Sequence, residues 1–326
     1  PIKGQATGAL QSGYRRTWIG NPDLKWETTK QTDFGVDFGF FNQRLTGSFD
    51  YYYKKTNDIL VQTPYIAAMG EGGEPWVNGA SMNNQGVEFT VSFKSDPSSE
   101  FQWAVSANIG TYKTELTDLP SNVINKYAGD GVHDLILGRS PNSAYGLVAD
   151  GIFKTQEEVD AHADQPGKAV GRIRYKDLDG DGVINADDQG MISEYGGNPR
   201  IQYGFGLNIN YKKFDLGVFF NGSAMRKIML TGIHPFGESD YNIFKFVAKD
   251  YWTEANPNPN AAYPRLGLQK ANSDNNVVPS TFWMRNGNFL RFKTLEIGYR
   301  FCRYGRIYVT GDNLAVFSPF KEWDPE

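Results

Sequence analysis

The densest chemistry in the chain sits in twelve consecutive residues, Asp177-Leu178-Asp179-Gly180-Asp181-Gly182-Val183-Ile184-Asn185-Ala186-Asp187-Asp188. Carboxylates at the first, third and fifth places, glycine at the sixth and an acid at the twelfth follow the spacing of an EF-hand-type calcium loop. Asp177, Asp179 and Asp181 would offer side-chain oxygens, Val183 its backbone carbonyl and Asp188 the closing carboxylate. Gly182 would permit the sharp turn, and Ile184 would anchor the loop in an apolar core. The twelfth residue of such a loop is normally Glu, so the shorter Asp188 leaves bidentate ligation open. Clustered carboxylates repel one another until a cation joins them, which favours a bound Ca2+. Its expected role is structural, stiffening residues 171–195; the alternative is a solvated, empty Asp-Gly turn.

Other reactive groups carry less. His133, His162 and His234 are the three histidines, and none has metal-ligand spacing to another. Nucleophile-elbow, phosphate-loop and dinucleotide fingerprints are missing from the sequence. The expectation is therefore that the chain is not an enzyme. Cys302 is the single cysteine and cannot form an internal disulfide. A formal net charge of −4 argues against a nucleic-acid partner. Trp76, Trp252 and Trp283 fall in long connections, where they could stack on sugar rings or pack loop cores.

The elements that must position these residues alternate with a period of two. In 31–41, Thr32, Phe34, Val36, Phe38 and Phe40 share one face while Gln31, Asp33, Gly35, Asp37 and Gly39 share the other. After Asn42-Gln43-Arg44 the alternation resumes with Leu45, Phe49, Tyr51 and Tyr53 opposed to Ser48, Asp50 and Lys54. Residues 201–211 and 214–221 repeat the design around Lys212-Lys213, and 87–94 with 101–110 make a third pair. A last pair spans about 288–301 and 305–314. Within it the apolar phase slips near Thr294, which predicts a β-bulge or a strand leaving the apolar zone. Arg291 and Lys293 should face a polar lumen or an interface, because a cation facing lipid at mid-depth costs about 2–4 kcal/mol.

Turns within pairs are short, whereas the stretches between pairs, 57–84, 114–200 and 225–287, are long. Structureless loops of that length are uncommon in soluble sandwiches but usual on the outer side of membrane barrels. Residues 143–153 read as a further short strand, and Thr155 with Glu158 as a capping box opening a helix to about His162. Trp26, Tyr51, Tyr53, Trp103, Tyr112, Tyr203, Tyr211 and Tyr299 suit aromatic girdles near strand ends or outer faces. No run of about 18 apolar residues could make a transmembrane helix, but strands with only alternate residues apolar escape that criterion. The fold expected is all-β, part of a large antiparallel transmembrane β-barrel with long extracellular loops and with outer-membrane lipid against its apolar face. The alternative is a secreted soluble carbohydrate-binding β-protein with a calcium-stiffened loop.

Several segments also resemble a known family. Asn21-Pro22-Asp23-Leu24-Lys25-Trp26-Glu27 resembles the segment leading into a barrel strand of TonB-dependent transporters. The run from Gly171 to Gly182, the run from Phe282 to Lys293, Gly311-Asp312-Asn313-Leu314 and Asp324-Pro325-Glu326 are similar to the SusC/RagA branch of that family in Bacteroidetes. The resemblance implies a bacterial outer-membrane location and nutrient import through a plugged twenty-two-stranded barrel. It also implies a SusD-like surface lipoprotein as lid, TonB as the source of force, and an oligosaccharide or peptide as cargo. On that pattern residues 1–326 are expected to be the C-terminal portion of the barrel, without the N-terminal plug and the final strand.

Overall fold

The computed structural model describes residues 20–62, 75–120, 136–230, 243–266 and 277–326. Along the chain run β1 (Thr28–Phe40), β2 (Leu45–Gln62), β3 (Trp76–Lys94) and β4 (Phe101–Asp118). The long connection that follows carries β5 (Ala144–Gly146), β6 (Ala149–Ile152), helix α1 (Gln156–Ala161), β7 (Ile173–Tyr175) and β8 (Gly190–Ser193). Then come β9 (Ile201–Tyr211), β10 (Phe214–Ala224), β11 (Lys227–Met229), helix α2 (Lys245–Lys249), β12 (Met284–Asn286), β13 (Phe289–Cys302) and β14 (Gly305–Phe317). The long strands form one antiparallel sheet in the order β1-β2-β3-β4-β9-β10-β13-β14. Among the described residues the sheet is open, with β1 and β14 at its edges.

Register turns the alternation of each strand into two continuous faces. Val36 pairs with Phe49, Phe49 with Phe89, and Phe89 with Ile109. The apolar row continues through Tyr203 opposite Ile109, and one row below it Phe205 pairs with Phe220 and Phe220 with Phe292. Those last three rings stack in a ladder, with centroids 4.6 Å apart at both steps. The opposite face is polar and small: Asp37, Ser48, Thr90, Asn108, Gly204, Asn221 and Arg291 lie in one row across seven strands. Phe34 and Val309 remain 62% and 76% exposed. A soluble sandwich would bury such residues under a second sheet, and no second sheet covers them among the described residues.

The phase slip in β13 is a bulge. Phe219 and Phe220, neighbours on β10, pair with Thr294 and Phe292, so Lys293 has no counterpart there. The register against β14 shifts at the same place. The extra residue keeps Phe292 and Leu295 on the apolar face although they are an odd number of positions apart. Arg291 and Lys293 consequently both reach the carboxyl-rich tail on the polar side: Arg291 bonds Asp324, and Lys293 Nζ lies 3.8 Å from Glu326 Oε2.

The strands outrun their alternation. β2 continues to Gln62, β3 begins at Trp76 and β4 runs to Asp118, so much of 57–84 and the start of 114–200 are sheet. Both faces of these extensions carry polar residues, Lys55, Asn83 and Glu115 on one and Lys54, Asn84 and Thr114 on the other, which erases the period-two signal. The 143–153 segment is broken into β5 and β6, which pair with β8 and β7. Helix α1 matches its expected span; the Thr155 side chain accepts from Glu158 N at 3.3 Å. Its return bond comes one residue early, since Glu158 Oε2 accepts from Lys154 N. Tyr112 departs from the girdle expectation, pairing with Gly86 on the polar face, and Trp26 stands 93% exposed just before β1.

The apolar core lies in the connections, all of them at the same end of the sheet. Leu147, Ile173, Tyr175, Ile184, Leu230, Val247, Tyr263, Trp283 and Phe320 form its main cluster. Trp252 and Trp283 are each 3% exposed, so both serve loop packing. Gly171 sits at φ +84, and a Cβ there would enter the Trp252 indole, so glycine is required twice over.

Candidate functional site

Two arrangements stand out: the polar face of the sheet, and the acidic loop above it. On the polar face, small residues keep the surface low. Phe219, 40% exposed, lies over glycines: a Cβ on Gly204 would meet its ring at 3.3 Å, and one on Gly206 at 3.8 Å. Nearer the short turns, Arg306 of β14 reaches across β13 to Asp215 of β10, with Nε 3.0 Å from Asp215 Oδ1, and also bonds Glu296. Gly298 of β13 lies beneath this crossing, and a Cβ there would collide with both Arg306 and Asp215. Sequence reading passed over this ion triad, because its members are far apart in the chain. The usable signal was a glycine in polar phase flanked by oppositely charged residues on adjacent strands.

At the other end of the sheet the last residues fold across the polar face. Arg291, 4% exposed, donates to Asp324, and its Nε forms an ion pair 3.0 Å from Glu326 Oε2. Arg285 Nε lies 3.5 Å from Glu322, and Arg226 donates to the Pro325 carbonyl. Phe320 of the same segment is buried in the loop core. The Arg291 guanidinium, with the Glu326 N–H, holds the Asp324 carboxyl below its ordinary range. Together these contacts tie the segment after β14 to β13 and to the loop core.

The acidic loop is built from backbone capping. Asp177 accepts from Gly180 N and Gly182 N at 2.6 and 2.9 Å. Asp188 is fully buried and accepts from Leu178 N and Asn185 N at 2.7 and 2.9 Å, closing the loop on itself. Gly180 and Gly182 take left-handed φ of +79 and +85, as the turn requires. Ile184 enters the main core cluster, the anchor expected of it. A parallel bridge between Asp164 and Val183 ties the loop to the segment after α1. Buried Gln165 fastens that segment to Ile173 O and Tyr175 N.

Of the four carboxylates expected as ligands, the structure gathers three. Oxygens of Asp177, Asp179 and Asp188 all lie within 4.8 Å of one another, close enough for one oxygen-seeking cation to approach all three. Asp181 stands outside the group; its Oδ1 accepts from Val183 N at 2.7 Å. Val183, expected to ligate through its carbonyl, gives its N–H to Asp181, while the Asp164 bridge runs through Gly182 O and Ile184 N. The charges register the crowding. The Asp181 N–H bond pulls the Asp179 carboxyl down, but desolvation and the charges of Asp181, Asp188 and Asp177 outweigh it and raise it. Desolvation pushes Asp177 up, yet N–H bonds from Gly182 and Gly180 prevail and hold it low. Of the three histidines, His162 packs edge-on against Phe153; His133 and His234 lie outside the described residues.

Comparison with known proteins agrees with this architecture. A family model described as TonB dependent receptor-like, beta-barrel, matches residues 4–314. TonB-dependent receptor P26 of Formosa agariphila is 29% identical over 98% of this chain and 33% of its own length. TonB-dependent receptor SusC of Bacteroides thetaiotaomicron is 27% identical over 94% of this chain and 30% of its own. A solved structure of the RagAB peptide transporter superposes with a TM-score of 0.68 at 26% identity, covering 94% of this chain and 34% of that one. The chain spans about a third of the length of the curated relatives it matches.

Proposed function

Because this chain belongs to the TonB dependent receptor-like β-barrel family of outer-membrane proteins, we propose that it is wall and mouth of a SusC-like nutrient importer. In this reading the apolar face meets lipid, the polar face lines the import path, and the connections at one end form the extracellular mouth. A SusD-like surface lipoprotein closes over that mouth, TonB supplies the force through another part of the protein, and the cargo is an oligosaccharide or peptide. The protein moves its cargo without chemical conversion; relatives of the chain are named as receptors, and one similar structure as a peptide transporter. The observation that carries the reading is the eight-strand register, which puts every apolar row on one side and a glycine- and asparagine-rich surface on the other.

A calcium ion at Asp177, Asp179 and Asp188 stiffens the 171–195 loop in this reading. Support comes from the gathered oxygens and from the mutual repulsion that raises Asp179.

Native mass spectrometry of the full-length protein, extracted by detergent from an outer-membrane fraction, tests the proposal. The expected result is a polypeptide travelling with a lipoprotein of SusD size, and loss of growth on the cargo when either gene is deleted. A detergent-independent monomer with no lipoprotein partner contradicts it.

A further inference from the structure

The outer face changes from apolar to charged within two adjacent rows. Up to Phe34, Tyr51, Val87 and Ile109 its residues are apolar, and Tyr53 and Thr111 complete the band. Beyond Thr32 the next outward position on β1 is Lys30, beyond Tyr53 on β2 it is Lys55, and on β4, one row nearer the band, it is Lys113. All three are exposed. Lys30 and Lys55 are direct cross-strand partners, and Lys113 pairs with Gln85, which in turn pairs with Tyr53. Like charges placed directly opposite destabilise a sheet unless something answers them. The one acid in the patch is Glu115, which bonds Lys113. Among the described residues neither Lys30 nor Lys55 has an acidic partner.

We propose that Lys30, Lys55 and Lys113 form a docking patch for the phosphate of an outer-leaflet lipid headgroup, whose acyl chains lie on the Tyr51, Tyr53 and Val87 surface below. Three features of the patch favour a lipid over a soluble anion. The patch lies on the outer side of the wall, on the face opposite Asp50, Glu88 and the import path. It borders the apolar band on the side of the long connections. Its lysines carry apolar stems that can lie along that band while their ammonium groups reach the headgroup layer. The phosphate relieves the Lys30–Lys55 repulsion, so lipid binding and wall stability are coupled.

The test uses the full-length protein in detergent and counts lipids retained in native mass spectra. The probes are a phosphorylated lipid A, the same lipid without phosphate, and inorganic phosphate as competitor. Near a membrane surface each lysine contributes about fivefold in binding to an anionic lipid, so Lys30→Gln, Lys55→Gln and Lys113→Gln together should lower retention on the order of 100-fold. The triple Lys→Arg variant should restore it. Lys94→Gln, on the polar face by the short turns, should leave it unchanged, and unchanged heat-modifiable migration should show that each variant is folded. Equal retention by parent and Gln variant, equal retention of the dephosphorylated lipid, or full displacement by millimolar inorganic phosphate would each overturn the proposal.

Discussion

Replacing Leu207 and Asn208 one at a time with arginine separates the two faces at a single depth. Leu207 pairs with Val105 and Val218 on the apolar face, and Asn208 pairs with Ala104 and Gly217 on the polar one. β9 has 11 residues from Ile201 to Tyr211. At about 3.4 Å per residue and a tilt near 40–45°, it rises roughly 25 Å, the height of an apolar band. Leu207 is then about 10 Å above the Tyr211 end, close to mid-depth. An arginine there costs about 2–4 kcal/mol, a loss of roughly 30- to 700-fold in the folding equilibrium. Asn208 is exposed beside Gly217, and arginine there should stay within about 0.5 kcal/mol of the parent. Urea titration of the full-length protein refolding into phosphatidylcholine vesicles reads both values. Equal costs at the two positions, or the larger cost at Asn208, would refute the assignment of the faces.

Asp179→Ala should abolish calcium protection of the 171–195 loop against protease, whereas Asp181→Ala should weaken it only slightly; equal losses would show that Asp181 is a ligand after all. Asp179 is raised in the fold, so its contribution is present at low pH and is lost as pH rises through its raised value; Asp177 is lowered and contributes until pH falls well below the ordinary carboxylate range. Without calcium the loop should thus become more protease-sensitive as pH rises just above that ordinary range, and added calcium should reverse the change; a flat profile would contradict the repulsion. Gly171→Ala should destabilise the loop core by about 1–3 kcal/mol through left-handed strain and the Trp252 clash, seen as faster hydrogen exchange at Ile173 and Tyr175; unchanged exchange would count against it. Deleting Lys293 should remove the bulge and leave Phe292 and Leu295 on the apolar face with Arg291 still against the tail, costing little beyond the Lys293–Glu326 ion pair; release of the tail, seen as faster hydrogen exchange after β14, would contradict the register.

How far the sequence could be read depended on what lay on each side of a strand. β1, β9 and β10 cross a medium that differs from the lumen, so nearly every residue declares its face and the segment bounds came within about three residues. The bulge at Lys293 was readable for the same reason, as a slip between Phe292 and Leu295. Above the apolar band both sides are wet, polar residues fall on both faces, as with Lys55 on one and Lys54 on the other, and no period marks the extensions of β2, β3 and β4 as strand. The acidic loop was legible through its regular spacing, with its glycines and the Ile184 anchor as expected. Which of its carboxylates come together was not, because whether Asp181 turns inward depends on the competing Val183 N–H. The Asp215–Arg306–Glu296 triad and the tail on Arg291 needed the register of strands separated by most of the chain, which local pattern does not carry.

Residue-by-residue spin labelling of 201–211 in the full-length protein, reconstituted in bilayers, tests most directly whether this sheet is a membrane wall. Collisions with dissolved oxygen should peak at the odd positions, including Phe205, Leu207 and Ile209, while collisions with a water-soluble nickel chelate should peak at the even ones, including Asn208 and Asn210. Uniform exposure of both sets to the nickel chelate would mean that no lipid touches the phenylalanine face, and the barrel assignment would fail.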